Sequence, residues 1–182
     1  MKKSVLVVSL FMLVALFAVP SFAFEVISAS YAYELATTDD DTFILDVRQG
    51  TEWKWVAHPG PDGTGYGAGL VIEGEDGEED IWKVVNIPIM IEKKGKMTLN
   101  RSFLSDVNEH FEGQDVTLIT MCRSGFRGGV AAAMLKDAGY DVMNMKHGFE
   151  GDAEKPSGYR RTVNGWIVDG LPFTYVGAGY KD

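Results

Sequence analysis

The stretch Val116-Thr117-Leu118-Ile119-Thr120-Met121-Cys122-Arg123-Ser124-Gly125-Phe126-Arg127-Gly128-Gly129-Val130-Ala131-Ala132-Ala133-Met134-Leu135-Lys136-Asp137-Ala138 decides the reading of this chain. Val116 to Thr120 is an apolar run of strand length. Gly128 to Ala138 reads as a helix: Val130, Ala131, Met134 and Leu135 share one face, and Gly139 is a natural stop. Between them a cysteine follows the strand almost at once and is trailed by two arginines and two glycines.

The pattern repeats on either side. Tyr140 to Met145 reads as a strand, as does Glu25-Val26-Ile27. Thr42 to Val47 is a nearly continuous apolar run of the kind buried in a parallel sheet. Val84 to Ile87 is a short strand stopped at Pro88. Ser28 or Ser30 can cap a helix through Tyr31, Leu35 and Ala36, and Asn100 can cap one through Phe103, Leu104, Val107 and Phe111. The alternation predicts an α/β domain with a parallel sheet and helices on both faces. Ligands of such sheets sit outside the carboxyl ends of the strands. Cys122 and the Asp46-Val47-Arg48 segment both fall at that end.

The stretch from Gln49 to Asp80, rich in glycine, reads as irregular. Its length predicts an internal hairpin, with Gly69 to Ile72 pairing with Ile81 to Val84 around the acidic Glu73–Asp80 turn. That turn does not match a calcium loop and is read as solvated. Met90 to Leu99 contains a turn at Lys93-Lys94-Gly95-Lys96.

Of the 182 residues, 46% are hydrophobic and 24% charged, so the chain is too apolar to be disordered. The net charge of -9 argues against nucleic-acid binding, which needs basic patches. A single cysteine rules out an internal disulfide and a multi-cysteine zinc site. The three histidines lack metal-ligand spacing, and no metal or cofactor is expected.

Lys2 and Lys3, an apolar run from Val5 to Val19, Pro20 and then Ser21-Phe22-Ala23 form the pattern of a secretory signal peptide over residues 1–23. The run, about 15 residues, is shorter than a bilayer span. Cleavage removes two lysines and no acids, leaving residues 24–182 as one domain with a net charge of -11. The expected location is periplasmic or secreted, with no membrane attachment after cleavage. An oxidising compartment normally holds cysteines in pairs, so an unpaired Cys122 is either a buried inert thiol or a reactive group.

Its neighbours favour reactivity. Arg123, Arg127 and a helix N-terminus favour the thiolate. Gly125 and Gly128 let the loop turn its N–H groups toward an anion above the sulfur. Ser124 and Phe126 complete the loop.

At this point the sequence resembles the rhodanese-like family. The loop Cys122-Arg123-Ser124-Gly125-Phe126-Arg127 matches the active-loop form of single-domain rhodaneses, Asp46-Val47-Arg48 matches an acidic-apolar-basic motif, and Val85-Asn86-Ile87-Pro88 is similar to an apolar-Asn-Ile-Pro element. The resemblance implies a sheet of about five strands, a persulfide-forming Cys122, and an Asp46–Arg48 ion-pair network supporting the loop. Sulfane sulfur would pass from a small anionic donor, thiosulfate or polysulfide, to a thiol, cyanide, sulfite or partner protein. Arg123 and Arg127 would hold the donor, with loop amides stabilising the persulfide.

The insertion at about residues 49–83 and the segments Gly148–Asp152 and Asn164–Trp166 depart from a minimal rhodanese and look like features of exported bacterial members. Trp53 and Trp55 are read mainly as packing for the insertion. Trp55 and His58 are candidate pocket walls, with His58 also a candidate proton donor. His110 and His147 are read as structural. Two other activities compete: a noncatalytic sulfur or selenium carrier or accessory subunit of a redox complex, and a phosphatase or arsenate reductase. The latter loops typically carry one more residue between cysteine and arginine.

Overall fold

The structure is a computed structural model describing residues 23–76, 78–155 and 158–175. Residues 1–22 of the expected leader lie outside the described residues.

In chain order the elements are β1 (Glu25–Ile27), α1 (Ala29–Thr38), β2 (Thr42–Asp46), α2 (Gly50–Val56), β3 (His58–Pro59), β4 (Val71–Ile72), β5 (Ile81–Trp82), β6 (Val84–Asn86), β7 (Met90–Lys93), β8 (Lys96–Leu99), α3 (Phe103–His110), β9 (Thr117–Met121), α4 (Phe126–Asp137), β10 (Asp141–Met145) and β11 (Phe173–Thr174). Five strands form a parallel sheet in the order β1-β10-β9-β2-β6. β9, which delivers the cysteine, lies at its centre.

Alternate residues of each central strand feed two cores, because successive side chains point to opposite faces. Ile44, Ile119 and Met145 pack with Ala29, Ala32 and Ala36 of α1 and with Trp53 of α2. Phe43, Leu45, Leu118 and Val142 pack on the other face with Phe103 and Val107 of α3 and Ala131, Ala132 and Leu135 of α4. All five residues of β2 are buried, as its unbroken apolar run requires. The α/β fold with helices on both faces is therefore the one expected.

The small hairpins follow the turn chemistry. Val71 and Ile72 pair antiparallel with Trp82 and Ile81. Met90–Lys93 pairs with Lys96–Leu99 across a turn in which Lys94 and Gly95 both have positive φ.

Three local readings change. Residues 50–56, expected to be irregular, form α2, started by Glu52 Oε2 accepting from the Gln49 N–H at 3.1 Å. The helix after the cysteine starts at Phe126 rather than Gly128, because Gly125 in the left-handed region turns the chain directly into it. Asn100 sits one turn before α3, whose N-cap is Ser102. Its Oδ1 accepts from Ser102 N–H, and its Nδ2 donates to Pro88 O and Asp106 Oδ2. It therefore ties the hairpin to the helix.

Candidate active site

β9 ends at Met121, α4 begins at Phe126, and the four residues between them wrap the sulfur of Cys122. Gly125, at φ +93°, directs its N–H at Cys122 Sγ across 3.1 Å. A side chain at Gly125 would meet the His147 amide nitrogen at 3.1 Å, so both conformation and space call for glycine. Gly128 lies against Asn144, where an added Cβ would come within 2.4 Å of Oδ1. The residue is nearly closed off, with Cys122 1% exposed, at the floor of a cleft of about 430 Å³. Gln49, Glu52, Met90, Met97, Arg123, Ser124, Phe126 and Arg127 line that cleft.

A second turn holds the loop from behind. Phe149 N–H donates to Cys122 O at 2.8 Å, and the Glu150 and Gly151 N–H groups donate to Arg123 O at 2.9 and 3.1 Å. Gly148, at φ +62°, lies so close that a Cβ would sit 2.1 Å from Cys122 O. Trp166 anchors this turn: its backbone N–H donates to Gly148 O at 3.0 Å and its buried Nε1 to Pro172 O at 2.8 Å. The segments that depart from a minimal rhodanese thus serve in part as a backing for the cysteine loop.

Asp46 and Arg48 are both fully buried. Arg48 Nη2 donates to Asp46 Oδ2 at 2.6 Å, and Nε donates to both carboxylate oxygens at 3.0 Å. Nη2 also reaches Ala57 O at 2.8 Å, and the guanidinium carbon lies 4.4 Å from the Phe149 ring centroid. The pair therefore reaches the cysteine loop indirectly, through Phe149, whose amide holds the Cys122 carbonyl. Asn86 Nδ2 donates to Asp46 O and Arg48 O, fixing the backbone of the same segment.

Arg127 is not free at the mouth of the loop. Its Nη1 and Nη2 donate to Glu52 Oε2 and Oε1, each at 2.6 Å, in a half-buried fork with side chains 19% and 24% exposed. The hydrogen bond to Glu52 raises the Arg127 pKa further, opposed by burial and assisted by the charges of Glu52, Cys122 and Asp46. Burial alone pushes the Glu52 carboxyl up, but Arg127 and the Gln49 N–H outweigh it and hold Glu52 below its usual value. Arg123, by contrast, is exposed. Ser124 is half-buried, and the Phe126 ring is 80% exposed at the rim.

The two candidate pocket walls lie elsewhere. Trp55 is 75% exposed and does not line the cleft, because it lies on the solvent side of α2; Lys54 Nζ approaches its ring. His58 is buried in the insertion, stacked on Trp53 at a centroid distance of 3.6 Å. Burial lowers its pKa to about 4, against smaller opposing effects of Pro59 and Asp46, so at neutral pH the ring is an uncharged packing element. Trp53 rather than Trp55 is the structural tryptophan of this segment. Glu52, Met90 and Met97 also line the cleft, although no motif in the sequence marks them. Among the described residues no group of three or more His, Cys, Asp or Glu is placed to hold a metal ion.

A parallel sheet covered on both faces, with its central strand feeding a cysteine into a turn whose Gly125 amide meets the sulfur, defines a cysteine-loop α/β domain. The description "Rhodanese-like domain" matches residues 28–155, and the chain belongs to that family. The chain is 27% identical over 150 residues to "Uncharacterized protein RP600" of Rickettsia prowazekii, covering 82% of this chain and 96% of that one. Its similarity to "Uncharacterized protein RC0915" of Rickettsia conorii is 26% over the same length and the same shares. The crystal structure of Rv0390 from M. tuberculosis superposes with a TM-score of 0.63 at 27% identity, covering 85% of this chain and all of that one.

Proposed function

We propose that this protein is an exported sulfurtransferase that carries sulfane sulfur as a Cys122 persulfide. The observation that carries the reading is the Gly125 N–H aimed at the Cys122 sulfur at the floor of an open cleft. An amide so placed favours a negative sulfur, first the attacking thiolate and then the terminal sulfur of a persulfide. Cys122 attacks the outer sulfur of thiosulfate or a polysulfide. The new bond joins Cys122 Sγ to that sulfur, the donor's own sulfur–sulfur or sulfur–sulfonate bond breaks, and its electron pair leaves with sulfite or the shortened chain. A thiol, cyanide or sulfite then takes the outer sulfur and regenerates the thiolate.

Family membership supports this chemistry, since rhodanese-like proteins use sulfur donors with thiol or cyanide acceptors. The signal pattern over residues 1–23 supports export to a periplasmic or extracellular location. The test is sulfur transfer to cyanide, followed as thiocyanate, with thiosulfate and polysulfide as donors. Turnover is expected in the wild type and lost in Cys122→Ser. Wild-type loading without turnover would instead identify a sulfur carrier.

A further inference from the structure

The cleft over Cys122 contains one arginine that is already matched. Both terminal nitrogens of Arg127 are held by Glu52 at 2.6 Å, and this carboxylate lines the same cleft as the cysteine. Among the described residues the charged lining is therefore Glu52, Arg123 and Arg127. With the thiolate ionised, the four groups sum to zero. Among these described lining residues, a dianion entering the cleft has only Arg123, exposed at the surface, to set against two negative charges. It must also approach a carboxylate whose partner is shared. Like charges sharing a half-buried site repel, because water screens them poorly there.

The remaining walls have a different character. Met90 and Met97 come from the β7–β8 hairpin and face the cleft with two polarizable thioether side chains, and Gln49 Nε2 contacts Met97 Sδ. Phe126 supplies an exposed apolar ring at the rim. Thioethers and aromatic rings suit soft, weakly hydrated sulfur and an organic chain better than a sulfonate group. Glu52 is itself fixed, because its second role is to accept from the Gln49 N–H at the start of α2.

We infer that Glu52 is a specificity-determining residue that selects organic persulfides over thiosulfate as the sulfur donor of Cys122. This rests on the sulfurtransferase reading above. In the favoured reaction the Cys122 thiolate attacks the outer sulfur of R–S–SH. The Sγ–S bond forms, the donor S–S bond breaks, and its electron pair leaves with R–S⁻. The proton stays on the transferred sulfur, giving Cys122–S–SH. No oxidant or reductant is required.

The experiment measures the initial rate of sulfur loading on Cys122 by intact mass, using cysteine persulfide and thiosulfate in parallel on wild type and Glu52→Gln. Glutamine keeps the acceptor for Gln49 N–H, so α2 retains its start, and thermal unfolding of the variant checks this. Wild type is expected to load from cysteine persulfide about tenfold or more faster than from thiosulfate. Glu52→Gln is expected to raise the thiosulfate rate about tenfold while changing the persulfide rate less than about threefold. Equal wild-type rates with the two donors overturn the proposal without use of any variant, as does a folded Glu52→Gln protein with an unchanged donor ratio. Loading from neither donor overturns the proposal, and loading from neither of them nor from polysulfide overturns the sulfurtransferase reading itself.

Discussion

The backbone N–H of Gly125 donates to the sulfur of Cys122 at 3.1 Å, and it does so from a left-handed φ of +93°. The conformation turns the amide toward the sulfur and starts α4 at the next residue. An L side chain at this position is strained and also crowds the His147 amide. Gly125→Ala is expected to destabilise the fold by about 1–3 kcal/mol and to lower the rate of persulfide formation at least about tenfold, because the amide is displaced from the sulfur. Urea denaturation and donor-loading kinetics on the same preparation check both. A variant with wild-type loading would show that the amide plays no part in the chemistry.

Asp46 and Arg48 bury two charges with almost no access to water. Removing one partner leaves the other buried polar group without its match. Arg48→Met is expected to cost about 3–5 kcal/mol. The double variant Asp46→Asn, Arg48→Met is expected to cost less than the two single changes together, because neither charge is then left alone. Urea denaturation of the four proteins measures the coupling. Strict additivity would mean that the pair does not act as a unit.

His58 links stability to acid. Its folded-state pKa of about 4 lies below the unfolded value of 6.5, so the unfolded chain binds the proton more readily. The stability due to this difference is complete above pH 6.5 and is lost as the pH falls toward 4. Between pH 7.5 and 4.5 the residue accounts for a loss of about 2–3 kcal/mol. His58→Phe keeps an aromatic ring against Trp53 and removes the titration. Its stability is expected to fall less than that of the wild type over this interval, and equal losses in the two proteins would contradict the assignment.

What could be read from the sequence was local. β9, Cys122 and α4 are consecutive, and their periodicities announce a strand, a loop and a helix without help from the rest of the chain. The unbroken apolar run of β2 likewise predicts burial on both faces. Glu52 was hidden because its partner lies 75 residues away and because α2 is a seven-residue helix in a glycine-rich stretch. Met90 and Met97 look like ordinary hairpin residues until the hairpin is folded against the cleft. Trp53 and Trp55 differ in sequence by two positions and nothing more, and the short helix turns one inward onto His58 and the other to solvent. The backing turn at Gly148–Gly151 could be seen as glycine-rich. Its approach to Cys122 O depends on the tertiary path through Trp166.

The proposed chemistry requires sulfur to become covalently attached to Cys122. Intact mass spectrometry of the purified protein, after incubation with cysteine persulfide, polysulfide or thiosulfate, measures this. The wild type is expected to gain the mass of about one sulfur atom, to lose it on treatment with a thiol, and to show no gain as Cys122→Ser. A wild-type protein that stays unmodified with every donor, or a Cys122→Ser variant that gains the same mass, would contradict a Cys122 persulfide.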